Sequence, residues 1–312
     1  MPSPSVINST LPKSVSFSRG KQSRQVVRKY ALPYLLLSPT VILLIAFLAV
    51  PFFSLFYYGV HKTDLQGVST YTGLNNFILL INEARFIQNL QATLLYLVGV
   101  LTLSLPLAYF AASLISSNMK GVGVLRTIFL IPWVLAPVVT ALLFKTMLDP
   151  TSGPITMLLK WIFGQPVYLT LSPEGARLVI ILHSAWRSFP FEMLLIAAGI
   201  TSIPVELYEA ARVDGANSWK QFRYITLPLT RVQLFSAVLM ISVWTIQDAE
   251  GVYALTQGGP GYATEVTGVR LFKEAFLYFN ISLASSIGIA LIVLSIIVMS
   301  VYLRILGRGE AA

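Results

Sequence analysis

The chain of 312 residues contains no cysteine. Disulfide stapling, thiolate catalysis and Cys-ligated zinc or iron–sulfur sites are therefore excluded. Histidine is nearly as scarce. His61 and His183 are far apart in sequence and show no metal-ligand spacing. Charge is sparse as well: only 11% of residues are Asp, Glu, Lys or Arg, less than half of the roughly 25% usual in soluble domains. No Gly-x-x-x-x-Gly-Lys-Ser/Thr phosphate loop occurs. No Ser/His/Asp, metal or paired-carboxylate constellation is visible, so a membrane enzyme is the weakest reading.

What the chain has in excess is apolar material, 55% of its residues. A transmembrane helix needs roughly 20 apolar residues, whereas transmembrane barrels show only short alternating stretches. The apolar runs here are long and unbroken, which decides for an all-α membrane protein. Six spans are expected, at about Ala31–Tyr58, Leu90–Ile115, Thr127–Leu148, Arg177–Thr201, Val232–Leu255 and Ile281–Ile305. Pro39, Pro51, Pro106, Pro132, Pro137 and Pro190 fall within them. Each removes a backbone donor and tends to kink its helix, either harmlessly or where a cavity opens.

The net charge of +9 would suggest nucleic acid in a soluble chain; here its placement sets orientation. Residues 1–30 are Ser-rich and carry Lys13, Arg19, Lys21, Arg24, Arg28 and Lys29 without an acid. The apolar run behind them exceeds the 7–15 residues of a signal-peptide core. It is read as an uncleaved first span following a disordered cytoplasmic leader. With the N-terminus inside, segments 1–30, 116–126, 202–231 and 304–312 hold 14 Lys/Arg against four acids. The outside segments hold seven against eight. The positive-inside rule then gives N-in and C-in. The organisation expected is a leader (1–30), a six-helix domain (31–305) and a cytoplasmic tail (306–312). The longest outside connections, about 59–89 and 149–176, carry short apolar pieces, Phe77–Ile81 and Ile155–Phe163, read as interfacial or docking helices.

Between the fourth and fifth spans lies residues 202–228, read as helix, turn, helix. Ser202 can cap the first helix and Pro204 suits its first turn. Glu206 and Glu209 lie where the helix dipole favours anions. Gly215 can adopt the left-handed geometry that stops a helix. Asn217 or Ser218 can cap the next, and Pro228 marks its end. The small pair Ala210–Ala211 leaves room for another surface to approach the backbone.

Glu209-Ala210-Ala211, then Asp214-Gly215, then Ile225-Thr226-Leu227-Pro228, resembles the EAA loop of binding-protein-dependent ABC importer permeases. Further stretches resemble the sugar-type branch of that family: Gly73-Leu74-Asn75-Asn76-Phe77, Pro132-Trp133, Trp186-Arg187, Pro190-Phe191, and Leu255-Thr256-Gln257-Gly258-Gly259-Pro260. The last is similar to the LTxGGP stretch of the first of two paired permeases. The resemblance covers residues 30–305. It departs from the pattern at Trp244–Glu250, where Asp248 fits but its surroundings are unusually polar.

The resemblance implies a prokaryotic inner-membrane permease that forms a solute path with a second, related permease. It implies a homodimeric cytoplasmic ATPase that carries ATP and Mg, so this chain itself binds no cofactor. It also implies an external solute-binding protein and a sugar, polyol or oligosaccharide as solute, with no nucleic acid partner. Glu209, Ala210, Ala211, Asp214 and Gly215 would couple to the ATPase. Trp186, Trp244, Thr245 and Asp248 are the candidates for solute contact, since sugars are held by aromatic faces and hydrogen-bonding groups. Against this, the tryptophans could be interfacial and Asp248 a helix cap. Arg187 and Glu192 are charges at membrane depth: either one of them faces the solute path, or Arg187 snorkels outward or bridges to a neighbouring helix. Gly258–Gly261 is a turn, hinge or docking loop. A permease for another solute and a stand-alone secondary carrier remain as alternatives.

Overall fold

The structure, a computed structural model, describes residues 33–63, 67–117 and 120–310. The expected basic leader, 1–30, lies outside the described residues, as do 311–312 of the expected tail. The chain divides into two units, Met1–Ser54 and Leu55–Ala312. The described part of the first belongs to α1 (Pro33–Gly59), long and apolar enough to cross a membrane.

The second unit is helical, save for an antiparallel ribbon of β1 (His61–Thr63) and β2 (Ser69–Tyr71) that pairs His61 with Tyr71. That ribbon is the one departure from the all-α expectation among the described residues. After it come α2 (Asn75–Asn82), α3 (Ala84–Ile115), α4 (Val122–Val134), α5 (Pro137–Met147) and α6 (Pro154–Phe163). Then follow α7 (Pro173–Thr201), α8 (Val205–Val213), α9 (Ser218–Leu229) and α10 (Arg231–Gln247). The last are α11 (Glu250–Thr256), α12 (Thr267–Phe276) and α13 (Ile281–Glu310). The short apolar pieces expected in the connections are indeed helices, α2 and α6.

Among the described residues α1, α3, α7 and α13 can cross a membrane alone, and the bent pairs α4–α5 and α9–α10 raise the number to six. The third expected span is thus not one helix. Ala136 precedes Pro137 and is held extended at ψ 141°, as ring sterics demand. The helix restarts with Pro137 in its first turn, at 95° to α4. The fifth expected span is also interrupted: α10 ends at Gln247, and Asp248 leaves helical geometry at ψ 117°. By contrast, α3 and α7 carry Pro106 and Pro190 without a break. Both π-turns, Ile45–Ala49 and Phe222–Thr226, close their last bond one residue before a proline, Pro51 and Pro228. A proline cannot donate the next i→i−4 bond, so the ladder slips to i→i−5 at that point.

The core is the seam of α3 against α7. Ala108, Ala111 and Ala112 of α3 meet Phe189, Met193, Ile196 and Ala197 of α7, all buried. Small residues let two backbones approach closely where lipid supplies no hydrophobic drive. Farther along, Tyr96 and Val100 of α3 join Val179 and Ile180 of α7, Ile241 of α10 and Val252 of α11 in a second cluster. The start of α12 rests on the break after α10. A Cβ on Gly268 would sit 2.8 Å from the Asp248 carbonyl oxygen and 3.0 Å from that of Gln247. Backbone cannot yield as a side chain can, so Gly268→Ala should destabilise the fold by about 1–3 kcal/mol. The check is thermal unfolding of the detergent-solubilised chain; an unchanged midpoint would refute the close approach.

Candidate functional site

Two helical stripes of identical spacing face each other across a cavity of about 240 Å³. On α7, Ser184, Arg187 and Ser188 line it, with Phe191 one turn on; on α10, the lining is Ile241, Trp244, Thr245 and Asp248. Both series run i, i+3, i+4, i+7, the repeat that gathers side chains on one helix face. The broken third span contributes Trp133, at the end of α4. Phe191 packs between the two indoles, its ring 5.7 Å from Trp133 and 4.8 Å from Trp244. The result is an aromatic wall next to hydroxyls and two opposite charges.

Asp248 is held from two sides. The Tyr96 hydroxyl donates to Oδ2 at 2.7 Å, and the Gly251 amide donates to Oδ1 at 3.3 Å, capping α11. The cap and the cavity position are therefore both real features of one residue. Of the expected solute-contact residues, Trp244, Thr245 and Asp248 line the cavity together. Trp186 does not join them: it lies against Phe144 at 5.5 Å between ring centres. It is about 100° around α7 from Arg187, so the two cannot face the same way. Glu192 is fully buried and turned elsewhere, accepting from the Ser104 hydroxyl of α3 at 2.7 Å. His183 also serves packing, Nε2 lying 3.0 Å from the Thr140 hydroxyl.

At the far end of α7 is the loop 202–228. Ser202 does not cap α8: its hydroxyl donates back to the Gly199 carbonyl at 2.7 Å, and Pro204 occupies the cap position. The rest follows the sequence closely. Gly215 stands at φ 77°. Its amide reaches the Arg212 carbonyl at 3.0 Å, while Ala216 reaches that of Ala211 at 2.8 Å. Those two bonds form a Schellman stop. Asn217 then caps α9, accepting from the Lys220 amide at 2.9 Å. Glu209, Ala210, Asp214 and Gly215 are exposed and Ala211 is half-buried. Val213 is 88% exposed, and Val205, Trp219 and Tyr224 are exposed as well. The loop is nonetheless tied inward. The Tyr208 hydroxyl meets that of Thr226 at 2.9 Å, Phe222 packs edge-on to Tyr109 of α3, and the Tyr109 hydroxyl meets that of Thr230 at 2.9 Å.

Residues 104–309, including this loop, match the family of binding-protein-dependent transport system inner membrane components. The chain belongs to that family. The permease is 30% identical to a probable ABC transporter permease protein of Pyrococcus horikoshii, over 89% of this chain and 97% of the relative. It is 30% identical to the trehalose/maltose transport system permease protein MalF of Thermococcus litoralis, over 91% and 96%. The sn-glycerol-3-phosphate transport system permease protein UgpA of Agrobacterium fabrum shares 30% over 86% and 91%. Among solved structures, a chain of the bacterial alginate ABC transporter in complex with alginate pentasaccharide-bound periplasmic protein superposes with TM-score 0.77 at 24% identity, covering 89% and 94%. A chain of the inward-facing MetNI methionine ABC transporter gives 0.53 at 17%, covering 75% and 97%. Both likenesses concern fold alone.

The permease also carries a charge cluster that its sequence concealed. Glu265, wholly buried, accepts two bonds of 2.8 Å from Arg85, one of 2.8 Å from Lys273 and one of 3.1 Å from Asn89. Buried Arg270 donates to Glu83 at 2.6 and 2.8 Å and lies 3.5 Å from Glu274. These contacts clamp the start of α12 to the start of α3, helped by a Thr267 amide bond of 2.8 Å to the Thr93 hydroxyl. The i,i+4 spacing of Arg270 and Glu274 was visible in sequence, but partners some 180 residues away were not. The glycine run 258–261 forms the turn above the clamp, closed by a Thr264 hydroxyl bond of 2.7 Å to the Gly259 carbonyl.

Burial alone would raise the Glu265 carboxyl, but the bonds from Arg85, Lys273 and Asn89 outweigh it and hold the group at about 2. Its contribution is therefore complete above the ordinary glutamate value of about 4.3 and is lost as pH falls through about 2. Glu265→Ala leaves cations unpaired and should cost about 3–5 kcal/mol. In detergent, the unfolding midpoint of the native permease should fall between pH 5 and pH 2, while that of Glu265→Gln stays flatter. Parallel curves would refute the clamp.

Proposed function

We propose that this permease is one of two membrane chains of an ATP-driven importer for a sugar or related polyol or oligosaccharide. The observation that carries the reading is the cavity between α7 and α10, where an aromatic wall stands beside donors and acceptors. Such a mixture suits a ligand with apolar C–H faces and a rim of hydroxyls. Relatives named for trehalose/maltose and for glycerol-3-phosphate transport support the same class.

In this reading the chain crosses the membrane six times, with both termini in the cytoplasm, as its charge distribution favours. The leader and tail are cytoplasmic appendages of the six-helix domain. The loop 202–228 faces the cytoplasm and docks on a homodimeric ATPase, which holds ATP and Mg. Glu209 pairs there with a base, and exposed Val205 and Val213 seat against apolar surface. Ala210, Ala211, Asp214 and Gly215 give that surface its close fit and its sharp turn. A push on α8 passes through Tyr208–Thr226 into α9, and through Phe222–Tyr109 and Tyr109–Thr230 into α3 and the start of α10. The helices that wall the cavity are thus mechanically joined to the docking surface. A second permease encloses the other side of the path, and an external binding protein delivers the solute.

Glu209→Lys should abolish solute uptake while the chain still inserts and remains intact in the membrane. Uptake at the native rate would overturn the coupling role. Mild-detergent purification should also recover an ATPase and a second six-span chain at stoichiometric levels. A chain recovered alone, and transporting without ATP, would favour a secondary carrier.

A further inference from the structure

A separate cavity of about 390 Å³ lies at the ends of two spans. Asn75, Asn76 and Leu79 of α2 and Glu83 just beyond it line one side, opposite Lys62 of β1 and Asn280 before α13. Its frame is pinned. Asn76 Nδ2 donates to the carbonyls of Gly59 and His61 at 2.9 and 3.0 Å, and the Thr63 amide donates to the Ser282 hydroxyl at 2.9 Å. Here α1 closes at Gly59 and α13 opens at Ile281. The flanking segments expose Tyr57, Tyr71, Phe276, Tyr278 and Phe279, the aromatic belt that marks a membrane–water boundary.

Two opposite charges border this cavity without meeting. Both Glu83 oxygens accept from one nitrogen of Arg270, and the carboxylate side chain stays 39% exposed. A carboxylate offers about four acceptor positions, so its outer side can take a further donor. Lys62 is exposed and, among the described residues, joins no ion pair. The size suits a small polar group, since such sites run from about 300 to 1,000 Å³.

We infer that the cavity seats the headgroup of a zwitterionic phospholipid ending in a primary ammonium. The ammonium rests on Glu83 and the phosphate on Lys62, with the acyl chains along exposed Ile78, Leu79 and Ile81 of α2. At a membrane boundary, lipid is the ligand always at hand. A purely anionic headgroup would satisfy Lys62 but set like charge against Glu83. A quaternary ammonium has no N–H to give the carboxylate, whereas a primary one has three. The amides of Asn75 and Asn280 offer further donors to phosphate and ester oxygens. Because Glu83 also holds Arg270, the lipid fastens onto the clamp between α12 and α3. The inference needs only that the chain spans a membrane, and it stands or falls apart from the importer reading.

The test titrates the detergent-solubilised permease with phosphatidylethanolamine, phosphatidylcholine and phosphatidylglycerol of matched acyl chains. Native mass spectrometry counts the bound lipid, and thermal unfolding is followed in parallel. One ethanolamine lipid should be retained at least tenfold better than either other, and it alone should raise the unfolding midpoint. Lys62→Gln should weaken retention at least fivefold and leave the lipid-free midpoint unchanged. Glu83→Gln should erase the preference for ethanolamine over choline. If Glu83→Gln does not fold, Lys62→Gln and the headgroup comparison decide. Equal retention of the three headgroups, preference for the glycerol headgroup, or native retention in Lys62→Gln would each overturn the inference. So would displacement of the lipid by an equal concentration of glycerophosphoethanolamine, which would assign the cavity to a soluble ligand.

Discussion

Everything in the second unit hangs on how closely α3 and α7 approach. Hydrocarbon offers helices no reason to associate beyond contact itself, so the seam depends on small side chains that let contact happen. Ala108, Ala111 and Ala112 supply it on one half. On the other, a Cβ at Gly99 would meet the Ile181 side chain at 2.6 Å, so glycine is what lets Ile181 lie flat on α3. With this pair fixed, α10 and α11 can rest on it, and the stripe from Ser184 to Phe191 is aimed at the stripe from Ile241 to Asp248.

The second constraint is that interrupted helices must satisfy their own freed groups inside the protein. Each interruption here carries a side-chain oxygen that bonds nearby backbone. The Thr140 hydroxyl donates to the Pro137 carbonyl at 2.9 Å after the first break. The Thr230 hydroxyl donates to the Thr226 carbonyl at 2.8 Å between α9 and α10. Asp248 caps α11 across the third. Two of these three interruptions border the cavity, so the places where the chain stops being regular helix are where it presents polar groups.

Much of this was legible in the residues. Apolar runs located the membrane helices, because length and composition are what a bilayer selects. The loop 202–228 was readable in detail, since caps and glycine stops are local devices: Gly215 and Asn217 behave as their chemistry demands. Ser202 misled because a serine hydroxyl can equally satisfy the carbonyls of the helix before it. The breaks at Ala136 and Asp248 were blurred because apolar composition is indifferent to backbone angle, although Pro137 was signal enough for the first. Residue type alone points to Trp186, whereas helical phase sets it about 100° from Arg187 and off the cavity face. Counting i, i+3, i+4, i+7 forward from Ser184 and from Ile241 recovers both stripes. The clamp of Glu83, Arg85, Glu265, Arg270 and Lys273 could not be found that way, for it joins segments distant in sequence.

Trp133, Phe191 and Trp244 belong to α4, α7 and α10, three different helices. No one helix carries the wall; it exists only while all three keep their present spacing. Ring contacts of this kind fade within a few ångströms. A small slide of any one helix would dismantle the surface without altering a single side chain. Retention and release of a ligand would then need no separate gate, because the strength of the grip would itself be a readout of helix position.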